Sequence, residues 1–544
     1  MASNLSVTPK QITVRIVVDI EENKVLYAEA GKDFVDVLLS FLTLPLGTIA
    51  RLVDKDSNMK PLRFGCISSL YQSLANLEPE YWNSETCKQM LLQPRNAMER
   101  FNRRLKINID DTEPTKFYAC EMSDCRRKPN MLVSTFNDIK CKCGKNLIHV
   151  LDVDDTISAD DNMGEGYVRE ASFVVYDDLR VMPHNPTSTL SVLKILRSKD
   201  KIVDFTVNIG PEEVMDLLKC SLGTNMVLSD SLLRMKQIIE NPRLRVKQMI
   251  EELRMKQIIE NAKATAINNL SKMPGKEDKR MKLNVMIENK FKVLFAIVEE
   301  DFIDQILSFL TIPLGAVERL LQGNSDLGCI DNLYNSLTTF DESTDFLSGK
   351  NMFDNFKVAP QHKLNKQMLP ISEVMYPSPL YLRRYHNLGE PDSSSYLTGH
   401  GIDMSHGVSK AVNLWDPKGP STSKSSDGYV KSPRMFMVAD DLSVKPFSSR
   451  LVVSCLNNES NSKVSEHDLD ERTIYVGILE VVNILKASLI SKAALTTGLR
   501  QFLTNTPIKE ETNVITQQMD PFVITEGKSL SNNKISPAQE RKKS

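Results

Sequence analysis

A chain of 544 residues that is 41% hydrophobic and 25% charged, with a formal net charge of -2 and a pI of about 6.4, has the composition of an ordinary folded protein. The balance of charge excludes a global basic field of the kind that draws a whole protein onto nucleic acid or an anionic membrane. No run of about 18 apolar residues is present, so no membrane-spanning helix is expected. The opening stretch, MASNLSVTPKQITVRIVVDI, lacks a basic segment followed by a long apolar one, so no secretory signal is expected. Nine cysteines, an odd number in a chain without such a signal, argue against a disulfide framework and for the cytoplasm or nucleus.

In chain order, TVRIVVDIEENKVLYAEAG alternates apolar and polar residues about a turn at Glu21–Asn23, which predicts a β-hairpin. DFVDVLLSFLTLPLG follows. Phe34, Leu38, Phe41 and Leu42 fall on one helical face, and Pro45 stops the helix because it lacks a backbone donor. FVVYDDLRVMP predicts a second hairpin that turns at Asp177–Asp178, and VDFTVNI a strand. Gly210–Pro211 then opens a helix, with Glu212 and Glu213 placed to favour its dipole. Hairpins mixed with helices in this order predict an α+β fold rather than a doubly wound sheet.

The same phrases return. Lys32–Val53 matches Glu300–Leu321 at 13 of 22 positions without a gap, and DFIDQILSFLTIPLG begins 268 residues after its counterpart. GCISSLYQSL (Gly65–Leu74) meets GCIDNLYNSL (Gly328–Leu337), FVVYDDL meets FMVADDL, and GPEEVMDLLKCSL meets GILEVVNILKASL. Four blocks in one order mean a tandem duplication of an α+β domain rather than a solenoid. The expected organisation is a first copy over 1–230, a linker over 231–280, a second, diverged copy over 281–505, and a polar tail over 506–544 expected to be disordered. Val37 is matched by Gln305, which predicts that this position meets solvent in at least one copy. The Ser-, Gly- and Pro-rich stretch Ser393–Ser426 reads as a long loop.

In the linker, LRMKQIIEN occurs at Leu233–Asn241 and again at Leu253–Asn261. Lys and Arg outnumber Glu there, and Val246, Ile250 and Leu253 recur at helical spacing. A basic amphipathic helix interrupted near Pro242 is expected. It is a spacer on the plainer reading and a docking helix for a protein partner or a membrane surface on the other.

Chemistry concentrates in CEMSDCRRKPNMLVSTFNDIKCKCG, where Cys120, Cys125, Cys141 and Cys143 lie within 24 residues. Four thiolates can close a tetrahedral zinc shell, and Gly144 lets the chain turn beneath it. The separation of the pairs fits a zinc-ribbon-like segment, although C-x-C is tighter than the usual C-x2-C. Such a zinc would be structural, since no coordination position stays open. Unligated thiols or a redox role are the alternatives. The second copy, with only Cys329 and Cys455, cannot repeat the site.

Two other patterns are weaker. LIHVLDVDDTIS places Asp152, Asp154 and Thr156 in the D-x-D-x-T spacing of a phosphatase nucleophile loop, but the later Lys and Asp motifs such an enzyme needs are missing. His400, Asp403 and His406 could approach a metal but sit in the loop-rich stretch. No phosphate loop, nucleophile elbow, H-E-x-x-H or dinucleotide fingerprint is present.

KVLYAEAGKDFVDVLLSFLTLPLGTIARLV, GCISSLYQSL, YDDLRVMP with its partner ADDLSVKP, and LLKCSL with ILKASL together resemble a plant family catalogued as domain of unknown function 674. The resemblance covers both copies and implies a plant source; it lends no activity. The expected function is a non-enzymatic interaction or regulatory protein with a structural zinc. The alternative is an enzyme of unfamiliar type with a site between the copies, for which the shared pairs Asp33/Asp301, Asp36/Asp304, Arg51/Arg319, Glu213/Glu480 and Lys219/Lys486 would have to converge.

Overall fold

The computed structural model describes residues 10–503 apart from 56, 58, 154–165, 200, 234–279, 344–346, 348–355, 379, 385–394, 400–408, 419–427 and 459–468. Alternation builds the first hairpin. β1 (Ile12–Asp19) buries Ile12, Val14, Ile16 and Val18, and β2 (Lys24–Gly31) returns beside it through a turn in which Asn23 takes a left-handed φ of 51°. The cysteine segment supplies β3 (Phe117–Cys120), β4 (Met131–Ser134) and β5 (Leu147–Val153). The predicted second hairpin is β6 (Ser172–Tyr176) with β7 (Val181–Pro183), and VDFTVNI lies in β8 (Ile202–Ile209).

The second half follows the same plan with β9 (Met281–Glu288), β10 (Lys292–Glu299), β11 (Leu380–Arg384), β12 (Ser395–Thr398), β13 (Ser409–Leu414), β14 (Met435–Ala439), β15 (Val444–Pro446) and β16 (Leu469–Val476). Two five-stranded sheets result. One runs β7-β6-β2-β1-β8 and the other β15-β14-β10-β9-β16, so their orders agree place by place. The fold is α+β, as the mixture of hairpins and helices implied.

The remaining six strands close a barrel in the order β11-β12-β5-β3-β4-β13. Three come from each half. β12 pairs parallel to β5 (Leu397 with Val153) and β13 parallel to β4 (Val412 with Met131), so each half closes the other's open edges. Phe117, Val133, Leu151, Leu382 and Leu397 fill the interior. Ser393–Ser426 is therefore not simply a loop, because it carries β12 and β13. These strands are only 4 and 6 residues long, and their apolar letters are diluted by flanking Ser and Gly.

The repeated phrase packs against itself. Helix Lys32–Ser40 and its counterpart Glu300–Ser308 each pass through a 3-10 turn into an extended Pro45 or Pro313. The two prolines face each other across an antiparallel bridge. Leu46 N donates to Ile312 O (2.9 Å) and Leu314 N to Leu44 O (3.0 Å), a reciprocal pair of the kind a two-fold axis generates.

The Gly-Cys helices also cross over. Helix Gly65–Asn76 packs on helix Ile478–Ile490 and β15, and the Cys66 thiol donates to Ser491 O (2.9 Å). Helix Cys329–Ser343 packs on β7, and the Cys329 thiol donates to Thr224 O (3.1 Å). Phe34, Leu38 and Leu42 share one core with Phe302, Ile306 and Leu310, and the described residues fall in one compact unit.

One expectation fails outright. Val37 is 1% exposed and Gln305 only 2%. The glutamine is tolerated inside because both ends of its amide have backbone partners: Nε2 donates to Lys366 O (3.2 Å) and Oε1 accepts from Met368 N (3.0 Å).

Candidate metal centre

Cys120 closes β3 and is buried at one end of the barrel. The chain then turns into the one-turn helix Ser123–Arg127, which carries Cys125 back beside it. The Arg126 guanidinium pins this turn by donating to Cys120 O (2.8 Å) and Glu121 O (2.7 Å). Cys141 and Cys143 come from the tight turn that a bridge between Lys140 and Asn146 closes before β5. There Cys141 N donates to Lys145 O (2.8 Å), Gly144 N donates to Cys141 O (2.8 Å), and Gly144 adopts φ +84°, which only glycine takes without strain. Cys120 is paired with Leu147 across the antiparallel β3–β5 ladder, so the two loops leave the same end of the sheet and deliver two cysteines each.

All four sulfur atoms lie within 4.8 Å of one another, and Cys120 Sγ stands 3.6 Å from Cys143 Sγ. Tetrahedral zinc with Zn–S bonds of about 2.3 Å requires sulfur separations of roughly 3.8 Å, so the cage has the right size. The four cysteines could hold a metal ion. Burial pushes the Cys120 thiol up to about 12, while a Lys145 N–H aimed at Cys143 draws that thiol down to about 7. Among the described residues these four are the one group of three or more Cys, His, Asp and Glu side chains close enough to share an ion. The other cysteines lie apart; Cys66 and Cys329 make the crossing contacts above, and Cys220 packs against Met59 Sδ at 3.4 Å.

The five shared charged pairs do not converge. Asp33 and Asp301 form surface ion pairs with Lys106 and Lys366. Arg51 pairs with Asp111, and Lys486 with Asp326. Glu213 and Glu480 cap their own helices at Gly210 N and Gly477 N (2.8 Å each). Lys219 is buried and donates to Lys55 O, Ser57 Oγ and Met59 O. Each of these has a local structural partner, and no shared polar constellation forms.

Asp36 and Asp304 reveal a repeat that ungapped matching misses. Asp36 Oδ1 accepts from Val168 N (2.9 Å); Asp304 Oδ1 accepts from Tyr429 N (2.9 Å) and Val430 N (3.2 Å). The bound segments are Gly166–Val168 and Gly428–Val430, GYV in both halves. Their first residue must be glycine, since a Cβ on Gly428 would fall 1.8 Å from Asp304 Oδ2. One extra residue before FMVADD hides this match. The acidic pairs of the hairpin turns are likewise more than turn residues. Asp177 accepts from Ser229 N and Oγ (2.8 and 2.7 Å), and Asp440 from Thr496 N and Oγ1 (2.7 Å each). Those hydroxyls accept in turn from Val25 N and Val293 N (2.8 Å each).

Of the phosphatase-like loop, Asp152 lies in β5, while Asp154 and Thr156 fall outside the described residues. So do His400, Asp403, His406 and the basic segment over 234–279. No described helix is long and apolar enough to cross a membrane.

The geometry defines an intertwined α+β protein with a four-cysteine centre at the mouth of a shared barrel. The family described as "Protein of unknown function (DUF674)" matches residues 8–476, so the chain belongs to that family. No curated protein and no solved structure matches it.

Proposed function

We propose that this chain is a non-enzymatic interaction or regulatory protein organised around a structural zinc ion held by Cys120, Cys125, Cys141 and Cys143. The observation that carries this reading is the closed cage of four thiols, which would fill a tetrahedral shell and leave no position for substrate. A zinc there would tie β3 to the turn before β5. Because β4 and β5 pair with β13 and β12, it would also brace the barrel where the halves meet. The basic linker over 231–280 is the segment proposed to contact a protein partner, in the cytoplasm or nucleus.

The test is elemental analysis of the full chain purified from a reducing compartment, with one zinc per chain expected. Cys141→Ser and Cys143→Ser should each lower occupancy; Cys66→Ser and Cys220→Ser should not. Metal should leave as the pH falls, since protons compete for the thiolates. Trp415 packs on the same small apolar cluster that contains Cys120, so chelation should also change tryptophan fluorescence. Far less than one equivalent of zinc, with no gain when zinc is added, refutes the reading.

A further inference from the structure

The crossing helices create two equivalent seams, and only one is shut. In the first, helix Cys329–Ser343 lies against the β6–β7 hairpin. Asn332 Nδ2 donates to Asp178 O (3.0 Å), and Val181 N donates to Ser336 Oγ (3.0 Å). In the second, helix Gly65–Asn76 lies against the β14–β15 hairpin. By the repeat, Ser69 stands for Asn332, Ser73 for Ser336, Asp441 for Asp178, Ser443 for Arg180 and Val444 for Val181. Asn332, whose amide bridges the first seam, is matched by a serine here. Ser69 is shorter than Asn332. The Ser73 hydroxyl donates to Leu70 O (2.8 Å) in its own helix, as Ser336 Oγ does to Asn332 O (2.7 Å), but among the described residues neither serine is hydrogen-bonded to the β14–β15 hairpin. A cleft of about 360 Å³ opens where the first seam has direct hydrogen bonds.

The cleft has a definite chemistry. Ser69, Gln72, Ser73 and Asn76 line it from one helix face, at i, i+3, i+4 and i+7. Hydroxyls and amides both donate and accept, which suits a ligand whose own groups do the same. Arg63 and Lys445 at the wall are balanced by Glu78 and Asp441, so no net field favours a charged ligand. The volume lies within the roughly 300–1,000 Å³ usual for small-molecule sites.

We propose that this open seam binds a small, uncharged, hydroxyl-rich molecule of monosaccharide size. The proposal is independent of the zinc reading, since the cysteine centre contributes nothing to the cleft.

Saturation-transfer NMR on the full chain tests it, with D-glucose, myo-inositol and glycerol as polyol probes and glycine and inorganic phosphate as charged ones. At least one polyol should receive saturation from the protein. Ser69→Asn, which restores the side chain that shuts the other seam, should reduce that transfer at least about fivefold (about 1 kcal/mol). Gln72→Leu, an exposed position at which folding is not at stake, should reduce it too. No transfer to any polyol, transfer unchanged in both variants, or binding of the charged probes alone would each overturn the proposal.

Discussion

The two halves share a framework and differ in what they have done with it. Both lay five strands in one order, both clasp a hairpin turn through an aspartate, and both send a Gly-Cys helix across to the other. Only the first carries the four-cysteine cluster. In the place of β3–β5 the second has β11–β13, which complete the barrel without a single thiol. One seam is hydrogen-bonded shut and the other stands open. Features that two halves must share to interlock are held in both, while the four-cysteine cluster is kept in one alone.

The largest effect is expected from separating the halves. Residues 1–230 and 281–505 expressed apart should each fail to show a cooperative melt. Each would expose the core face around Leu42 or Leu310, the edges of three barrel strands, and a Gly-Cys helix without its receiving groove. Mixing the two should restore one transition, read by circular dichroism. Two independently cooperative fragments would show that the crossing contacts are incidental.

What the sequence made legible follows from range. Local signals were sufficient for β1–β2, for β6–β7, for the helix ending before Pro45 and for the grouping of the four cysteines. Long-range facts were not. Nothing near Cys66 says that its thiol faces Ser491, 425 residues away, and no periodicity in SYLTGH or SKAVNLW identifies strands whose partners lie in the other half. Gln305 misled because polarity was read as exposure, whereas a buried amide with two backbone partners costs little.

Leu38→Ala should cost about 2–5 kcal/mol, as buried leucines do. Val37→Ala removes two carbons from an equally buried site and should cost roughly 1.5–3 kcal/mol. Gln305→Leu should cost about 1–3 kcal/mol, because Lys366 O and Met368 N lose their partner. Denaturant midpoints measure all three. A negligible loss at Val37 would mean that the position is solvated after all.

The smallest expected effect separates the two GYV clasps. Asp36 Oδ2 pairs with Lys32 Nζ at 2.9 Å, whereas position 300, the counterpart of Lys32, is Glu. Asp304 therefore carries its charge in the interior with only backbone donors for company, and burial pushes its carboxyl up to about 7. An acid with a raised folded-state value binds its proton more tightly folded than unfolded. Its contribution to stability is complete below about pH 4 and is lost as the pH rises toward 7. Asp304→Asn keeps the Oδ1 acceptor that both Tyr429 N and Val430 N use, and removes the charge. Each unit of displacement corresponds to about 1.4 kcal/mol, and some of that is relieved if the loop admits water once the charge forms. We therefore expect a gain of about 1–2 kcal/mol at pH 8 and almost none at pH 4. Burial raises the Asp36 carboxyl as well, but Lys32 opposes that, and Asp36→Asn would leave the Lys32 ammonium beside a neutral amide, so it should do the reverse at neutral pH. Denaturation midpoints across pH 4–8.5 decide it: the same sign of change for both variants at pH 8 would mean that Lys32 does not distinguish the two clasps.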